Sequence, residues 1–251
     1  MKDFKDYFLK RRTVRKFLDK KIPDSEIYSI IERAIKAPTC GNMQLYSVVI
    51  TRDREMKSKL APYHFNQPAA TGADIILTIC ADFNRFTRWC ELSDAKPGYD
   101  NFHSFMMAAT DAIILAQQIV TIAETDGLGT CYLGTVNYTA SQISELLELP
   151  DLVVPFASLA LGYPEEEGEF SERLETSSII HEEKYRRDSD EKIIEIFKVK
   201  DDADDTPKFL KENNKTSLAQ VFTDVRYSGE TNREVSKTFL ELLNRKGFMK
   251  N

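Results

Sequence analysis

The stretch ADIILTICAD, residues 73–82, decides the fold. It is an apolar run between polar flanks, and this pattern predicts a strand that is covered on both of its faces. A strand of this kind needs helices packed above and below its sheet, because one uncovered face would expose apolar side chains to water. The sequence therefore predicts a sheet that is enclosed by helices.

Three further segments carry strand patterns, and helical patterns separate them. The strands are predicted in YSVVIT (46–51), in the middle of GLGTCYLGTV (127–136) and in LVVPFASLALGYP (152–164). The longest helical pattern runs from Phe102 to about Thr125 and is apolar nearly all round, which is typical of a helix buried on most faces. Asp111 in its middle argues against a membrane span. This order predicts an α+β or three-layer domain.

Composition narrows the class of protein. The 251 residues are 42% hydrophobic and 29% charged, with a formal net charge of −6, as in an ordinary soluble globular protein. An acidic chain is a poor general partner for nucleic acid, and no apolar run reaches membrane-spanning length without a charge. The N-terminal MKDFKDYFLKRR lacks the apolar region of a signal peptide. We therefore predict a cytoplasmic protein that binds neither nucleic acid nor membrane.

The cysteine pattern predicts free thiols. Four cysteines are dispersed along the chain without a C-x-x-C pair and without histidines at ligand spacing, at Cys40, Cys80, Cys90 and Cys131. This pattern is typical of a reducing compartment and indicates neither a disulfide framework nor a zinc site. The prediction is a protein without a bound metal.

A basic cluster interrupts this acidic chain near its start. KRRTVRKF, residues 10–17, packs five cations into eight positions. If the chain is extended there, Arg11, Thr13 and Arg15 share one face. Guanidinium forks match two phosphate oxygens at once, so this face predicts an anion pocket. The alternative is a solvated basic loop, or a helix C-terminus carrying the cations that its dipole favours.

Two loops add groups that suit a flat polar ligand. APTCGNMQ, residues 37–44, supplies the amides of Asn42 and Gln44, which are able to bind a polar ring edge, although the same residues also fit a plain helix stop. GTCYLGT, residues 129–135, places Gly134 just after a short strand, where backbone N–H groups can approach a ring. The G-x-G at Gly127 follows a helix rather than a strand, so it predicts a turn and not a dinucleotide site.

Together RRTVRKF, APTCGNMQ, GLGTCYLG and LGYP…SERLE resemble the nitroreductase family of FMN flavoproteins, in particular its larger NADPH-dependent branch. The resemblance is thin across 84–101 and 185–230. It implies a three-layer α/β/α fold with a mixed, mainly antiparallel sheet wrapped by helices, and a homodimer with FMN at the subunit interface. It also implies an FMN-binding core over 1–175, with 84–101 as a candidate lid, and a C-terminal extension over 176–251 that packs on the core or on the partner subunit.

The resemblance assigns the cofactor contacts residue by residue. It implies that Arg11, Arg12 and Thr13 hold the FMN phosphate or ribityl chain and that Arg15 lies by the N1/O2 edge of the ring. The flavin-proximal loop, often contributed by the other subunit, would supply Thr39, Asn42 and Gln44. The remaining implied contacts are Gln67 at the pyrimidine edge, the backbone of Tyr132, Leu133 and Gly134 at N5 and O4, and Arg173 as a second phosphate-binding arginine. Ser171 stands where the branch usually has a lysine.

The implied activity is hydride transfer from NADPH, or NADH, through FMN to a nitroaromatic, quinone or flavin acceptor in a ping-pong scheme. No catalytic side chain is expected, because the cofactor carries the reaction while Arg15 and Gly134 tune it. The isolated His64, His103 and His181 are not predicted to be catalytic.

Cations in the C-terminal region are candidates for the NADPH 2′-phosphate, namely Lys211, Lys215 and Arg226. Two other functions stay open on the same scaffold. One is a non-catalytic flavin-binding or storage protein. The other is a reductive dehalogenase or enone reductase, in which Trp89 and Tyr99 of the candidate lid cover the flavin.

Overall fold

The computed structural model describes residues 4–168 and 170–250, and the chain divides into two compact units. The first unit comprises 1–169 together with 235–251, and the second comprises 170–234. The first unit thus contains most of the last helix, which the sequence analysis assigned to the C-terminal extension. As a division into functional domains, the boundary at residue 175 stays a prediction.

The elements follow one another in an order of mixed helices and strands. The strands are β1 Tyr46–Thr51, β2 Ile75–Asp82, β3 Gly129–Tyr132 and β4 Val153–Gly162. The helices are α1 Phe4–Lys10, α2 Asp24–Ala34, α3 Arg54–Leu60, α4 Pro68–Gly72, α5 Asn84–Leu92, α6 Phe102–Thr125, α7 Ala140–Leu146, α8 Asp190–Asp201, α9 Thr206–Glu212, α10 Leu218–Gln220 and α11 Gly229–Arg245.

The sheet of the first unit has the order β1-β2-β4-β3 among the described residues, and every neighbouring pair is antiparallel. Each of the four strands lies where the sequence predicts one. The α+β class and the antiparallel character of the sheet are confirmed.

Strand β2 explains the layers. Its alternate residues Ile75, Leu77 and Ile79 belong to an apolar cluster with α2 and α6, whereas Ile76 belongs to a second cluster with α4 and α7. All of these side chains are buried. Because successive residues of a strand point to opposite faces, β2 has helices on both sides, as its unbroken apolar pattern predicts.

Helix α6 is the central helix of one layer. By length and composition it is the one described helix able to cross a membrane. Its buried residues, among them Leu115, Ile119 and Val120, pack in the same cluster as β2 and β4. We therefore interpret α6 as the core helix of a folded domain, as the sequence predicts.

The basic segment leaves α1 and runs extended along the edge of the sheet. The amide of Val14 donates to the carbonyl of Thr130 on β3 at 3.1 Å, and Phe17 forms an isolated bridge with Pro164 just beyond β4. Both Val14 and Phe17 are buried. These two side chains fix the faces of the segment, so the basic residues between them are held at the edge of the sheet.

Two glycines make room for this segment. Gly129 and Gly162 oppose each other in the β3–β4 pair. A Cβ at Gly129 would lie 2.8 Å from the side chain of Val14, and a Cβ at Gly162 would lie 2.8 Å from the ring of Phe17. Any larger residue at either position would push the basic segment away from the sheet.

Substitution of Gly162 by alanine tests this fit. We expect Gly162→Ala to lower the free energy of unfolding by about 1–3 kcal/mol, as overpacking of a filled core does. The matched control is Gly72→Ala, because a Cβ there meets nothing within 4 Å and should cost little. Urea unfolding of both variants measures the difference, and equal midpoints would contradict the fit.

The segment 84–101, predicted as an excursion from the core, is more regular than expected. Its first half forms α5, and the ring of Tyr99 stacks on Phe83 with centroids 4.5 Å apart. Tyr99 is thereby packed against the core, while Trp89 stays 61% exposed. The ring of Phe86 on α5 also contacts Phe83 and Tyr99, and the lid role of 84–101 stays a prediction.

Candidate functional site

A carboxylate at the end of α6 orients the first arginine of the basic segment. Arg11 Nη2 donates to Glu124 Oε1 at 2.9 Å, and the hydroxyl of Tyr7 donates to Glu124 Oε2 at 2.7 Å. The hydroxyl of Thr130 on β3 also donates to Glu124. The side chain of Glu124 is only 9% exposed. An ion pair this sheltered from water holds the guanidinium in one position.

The other residues of the basic segment differ in the hydrogen bonds and ion pairs that their side chains make. Arg11 Nη1 lies 3.4 Å from Thr13 Oγ1, as expected if alternate residues share a face. Arg12 turns toward the loop after β4 and donates to the carbonyl of Gly168 at 3.1 Å. The exposed guanidinium of Arg15 makes no hydrogen bond or ion pair with any residue in 4–168 or 170–250. Arg15 is therefore a cation that can accept a ligand without giving up a partner.

Strand β3 lies beside the basic segment, since the amide of Val14 donates to the carbonyl of Thr130. Burial raises the pKa of the Cys131 thiol, and the cations of Arg15 and Arg11 oppose this increase, so both lie near the strand. Partial burial raises the pKa of Tyr132 to about 12, which keeps its phenol protonated. Leu133 is buried, but Gly134 is exposed, and a Cβ built on it meets nothing within 4 Å. The backbone at Gly134 is thus open to a flat ligand.

Gln67 lies at the start of α4, after a tight loop. The preceding residues Phe65 and Asn66 both have left-handed backbone angles, with φ of +55° and +49°. This conformation is costly for residues with a Cβ and persists where the surroundings impose it. We call Arg11, Thr13, Arg15 and residues 132–134, together with Gln67, whose loop is joined to Thr135 by the side chain of His64, the arginine–β3 cluster.

A second group of predicted contacts lies on the 39–45 loop, and Asp111 of α6 holds it. The carboxylate of Asp111, 1% exposed, accepts hydrogen bonds from the Thr39 hydroxyl, from the Cys40 amide at 2.8 Å and from the Leu45 amide at 3.2 Å. Asp111 is therefore a buried polar group of the core helix whose carboxylate is satisfied by hydrogen bonds.

The same loop carries an unusual backbone. Gly41, Asn42 and Gln44 all have φ between +54° and +56°. Two of these residues have a Cβ, so the loop stores strain that its hydrogen bonds to Asp111 offset. The side chains of Asn42 and Gln44 are exposed, which leaves their amides available.

One chain does not bring the two groups together. Asp111 holds the 39–45 loop and Glu124 holds Arg11, and both lie on the core helix α6. Their spacing corresponds to about 20 Å of helix at 1.5 Å per residue. Within one chain, the contacts that hold the 39–45 loop and those that hold Arg11 are therefore about 20 Å apart along α6.

The predicted residues of the second unit have local partners. Arg173 Nη1 donates to the carbonyl of Ser171 at 2.7 Å. Lys215 pairs with Asp224 at 2.8 Å, and the guanidinium of Arg226 lies 4.6 Å from the ring centroid of Phe209. Their roles toward FMN or NADPH stay predictions.

Sequence reasoning missed Glu124, although a signal was present. A carboxylate in the last turn of a helix opposes the helix dipole, and such a residue is stable there when a cation pairs with it. The same reasoning does not name the cation, because Arg11 lies 113 positions away in the sequence.

Comparison with known proteins decides the family. The sequence model of the nitroreductase family matches residues 9–163. The chain belongs to the nitroreductase family. The matched range contains every residue of the arginine–β3 cluster and the whole 39–45 loop.

Individual proteins also match most of this chain. A solved structure from Bacteroides fragilis NCTC 9343 is 44% identical, with a TM-score of 0.96 over 98% of this chain and 100% of that one. An FMN reductase [NAD(P)H] of Bacillus subtilis strain 168 is 34% identical over 69% of this chain and 71% of its own. An oxygen-insensitive NADPH nitroreductase of Salmonella typhimurium is 30% identical over 73% and 74%, respectively.

Proposed function

We propose that this nitroreductase-family chain is an FMN-dependent NAD(P)H oxidoreductase that reduces small molecules such as nitroaromatics, quinones or free flavins. One observation carries the proposal: the cations of Arg11 and Arg15 both act on Cys131 of β3, three residues before the open backbone of Gly134, and Glu124 holds Arg11 in place. Relatives named FMN reductase and NADPH nitroreductase support the same class of reaction.

The residues present suit FMN. Arg11 and the hydroxyl of Thr13 offer charge-assisted and neutral donors for a phosphate, and the exposed backbone at Gly134 suits a flat ring that needs close approach. Glu124 accepts from Nη2 of Arg11 and Thr13 Oγ1 lies 3.4 Å from Nη1, which leaves the remaining N–H groups of the guanidinium for an anion. When bound, FMN supplies the hydride chemistry, and the two substrates take turns in a ping-pong order.

The chain itself contributes binding and electrostatics. Arg15, as a cation at the N1/O2 edge, would stabilise negative charge that develops there. Gly134 would orient the ring through its N–H group. Tyr132 stays protonated near neutral pH, and His64 is buried away from the solvent. We therefore assign neither residue a proton-transfer role. NADPH as the preferred donor rests on the relatives, with Lys215 and Arg226 as candidate contacts.

A homodimer would complete the site. Because the 39–45 loop lies about 20 Å along α6 from Arg11 in one chain, Thr39, Asn42 and Gln44 would reach the arginine–β3 cluster of a second copy. In a dimer with a twofold axis, the 39–45 loop of the second copy would reach the arginine–β3 cluster of the first in the same way. Sedimentation of the holoprotein at twice the mass of one chain is the expected result. The four free cysteines support a cytoplasmic location for the enzyme.

Cofactor and donor assays test the proposal together. The purified protein is expected to be yellow and to bind FMN more tightly than riboflavin, since only FMN offers a phosphate to Arg11. It should then oxidise NADPH, or NADH more slowly, when a nitroaromatic, a quinone or free flavin is added. If the protein binds FMN but oxidises neither NADPH nor NADH with any of these acceptors, it is instead a flavin-storage protein.

A further inference from the structure

Two segments of the first unit are joined by side-chain contacts that the proposed reaction does not use. His64 Nδ1 lies 2.9 Å from Thr135 Oγ1, and the hydroxyl of Thr139 donates to the carbonyl of Tyr63 at 2.7 Å. Beside them the rings of Phe65 and Tyr138 meet edge to face, with centroids 6.0 Å apart. Residues 63–65 are thus fastened to residues 135–139 at three points.

The imidazole of His64 is held in its neutral form. Its ring is completely buried, and burial lowers its pKa to about 4. No charged group of α3, α4 or α7 acts on it, although α3 carries Lys57 and Lys59 and α7 carries Glu145. The bond to Thr135 therefore joins two neutral groups and persists at neutral pH.

A purely space-filling role does not explain this histidine. Nε2 of His64 is buried and has no hydrogen-bond partner in the part of the chain that the structure describes. Leaving a buried polar atom unpaired costs about 1–3 kcal/mol, and an apolar side chain of similar size would avoid that cost. The bond from Nδ1 to Thr135 is the contact that an apolar side chain could not provide.

Each end of the bond lies next to a residue of the arginine–β3 cluster. Thr135 directly follows Gly134. On the other side, the amide of Gln67 donates to the carbonyl of His64 at 3.1 Å, after the left-handed pair Phe65 and Asn66. A shift of the imidazole would therefore move Gln67 relative to Gly134.

We propose that His64 is a positioning residue that, through Thr135, fixes the loop carrying Gln67 against the backbone at Gly134 and so sets the spacing between two edges of the flavin site. This inference rests on the proposed function. Sites of this kind lose affinity when supporting contacts allow displacements of about 1 Å. His64 acts on the flavin through the two loops and not by touching a reacting atom.

Matched substitutions at both ends of the bond test the proposal. His64→Leu keeps the volume and removes the bond, Thr135→Val removes only the hydroxyl, and His64→Asn keeps a polar atom near the position of Nδ1. We expect His64→Leu and Thr135→Val each to weaken FMN binding about tenfold, the upper end for one hydrogen bond. Both should shift the reduction potential of the bound flavin in the same direction. The double variant should bind FMN no more weakly than either single variant. His64→Asn should keep a near-parental FMN affinity and reduction potential.

A packing-only role gives a different result. If His64→Leu holds FMN with the parental dissociation constant and potential, or if the two single effects add in the double variant, the proposal is wrong. The control for general destabilisation is Ile119→Val, in the cluster on the other face of the sheet, which should lower stability without changing FMN binding. If His64→Leu fails to fold, Thr135→Val and His64→Asn carry the same comparison.

The proposed function fails separately, since a parental protein that binds no FMN refutes it. The link between the loops is then judged without flavin, by hydrogen exchange of the amides in 133–139. His64→Leu should accelerate this exchange about tenfold, because each 1.4 kcal/mol of local opening is a factor of ten, and His64→Asn should not. Equal exchange in both variants would overturn the inference.

Discussion

Replacement of Asp111 by alanine is expected to lower the free energy of unfolding by about 3–5 kcal/mol, among the largest effects of any single substitution. The buried carboxylate accepts from the Thr39 hydroxyl and from the amides of Cys40 and Leu45. Its removal leaves these donors without an acceptor and frees a loop whose backbone is strained. Asp111→Asn keeps one oxygen and should lose about half as much.

Urea unfolding measures this effect, and Thr110→Ala is the control. Thr110 is the exposed neighbour of Asp111 on α6, and its hydroxyl bonds only within the helix. We expect the control to change stability by less than about 0.5 kcal/mol. Limited proteolysis of Asp111→Asn should cleave first within 39–45. If Asp111→Ala and Thr110→Ala have the same midpoint, Asp111 does not hold the loop.

Replacement of Arg11 by alanine is expected to weaken FMN binding about 100-fold, the range for loss of a charge-assisted hydrogen bond in a sheltered site. Two causes act in the same direction. The phosphate loses a guanidinium fork, and Glu124, only 9% exposed, keeps a negative charge with no cation beside it. Riboflavin binding should fall much less, because riboflavin has no phosphate for Glu124 to repel.

Lys10→Ala is the matched control for the change of charge. Lys10 precedes Arg11, and its side chain is 75% exposed in a surface pair with Asp6. Its removal should change FMN affinity by less than about threefold, since exposed pairs are worth little. Adding Glu124→Gln to Arg11→Ala should recover part of the lost affinity. Quenching of FMN fluorescence measures the dissociation constant of FMN for the parental protein, both single variants and the double variant. Equal dissociation constants for Arg11→Ala and Lys10→Ala would refute the assignment of Arg11 to the phosphate.

Local sequence patterns predict the individual helices and strands, but they do not predict how these elements pack against one another. The apolar run at 73–82 and the long apolar helix from Phe102 predict β2 and α6 because periodicity and burial are properties of neighbouring residues. The docking of Val14 and Phe17 over Gly129 and Gly162 depends on the register of β3 against β4, which no local pattern specifies. The helix within 84–101 is not predicted for a different reason: Pro97 and Gly98 favour an irregular segment, but both lie after α5 ends at Leu92.

The same distinction applies to the candidate site, where some residues can be predicted from the sequence and the side chains that hold them cannot. The resemblance names residue types along the chain, such as the arginines of 11–15 and Gly134. It does not reveal the side chains that hold them, because Glu124 and Arg11 are 113 positions apart and His64 and Thr135 are 71 apart. It also does not reveal that the side chain holding the 39–45 loop, Asp111, and the side chain holding Arg11, Glu124, both lie on α6. These are products of tertiary packing, and only coordinates show them.

Anaerobic mixing of the purified protein with NADPH, and separately with NADH, tests the central claim most directly. The account predicts that the visible absorbance of the bound flavin bleaches within one turnover, faster with NADPH, and that a nitroaromatic or a quinone then restores it. Colourless protein that FMN cannot reconstitute, or bound flavin that neither nucleotide bleaches, would contradict the account.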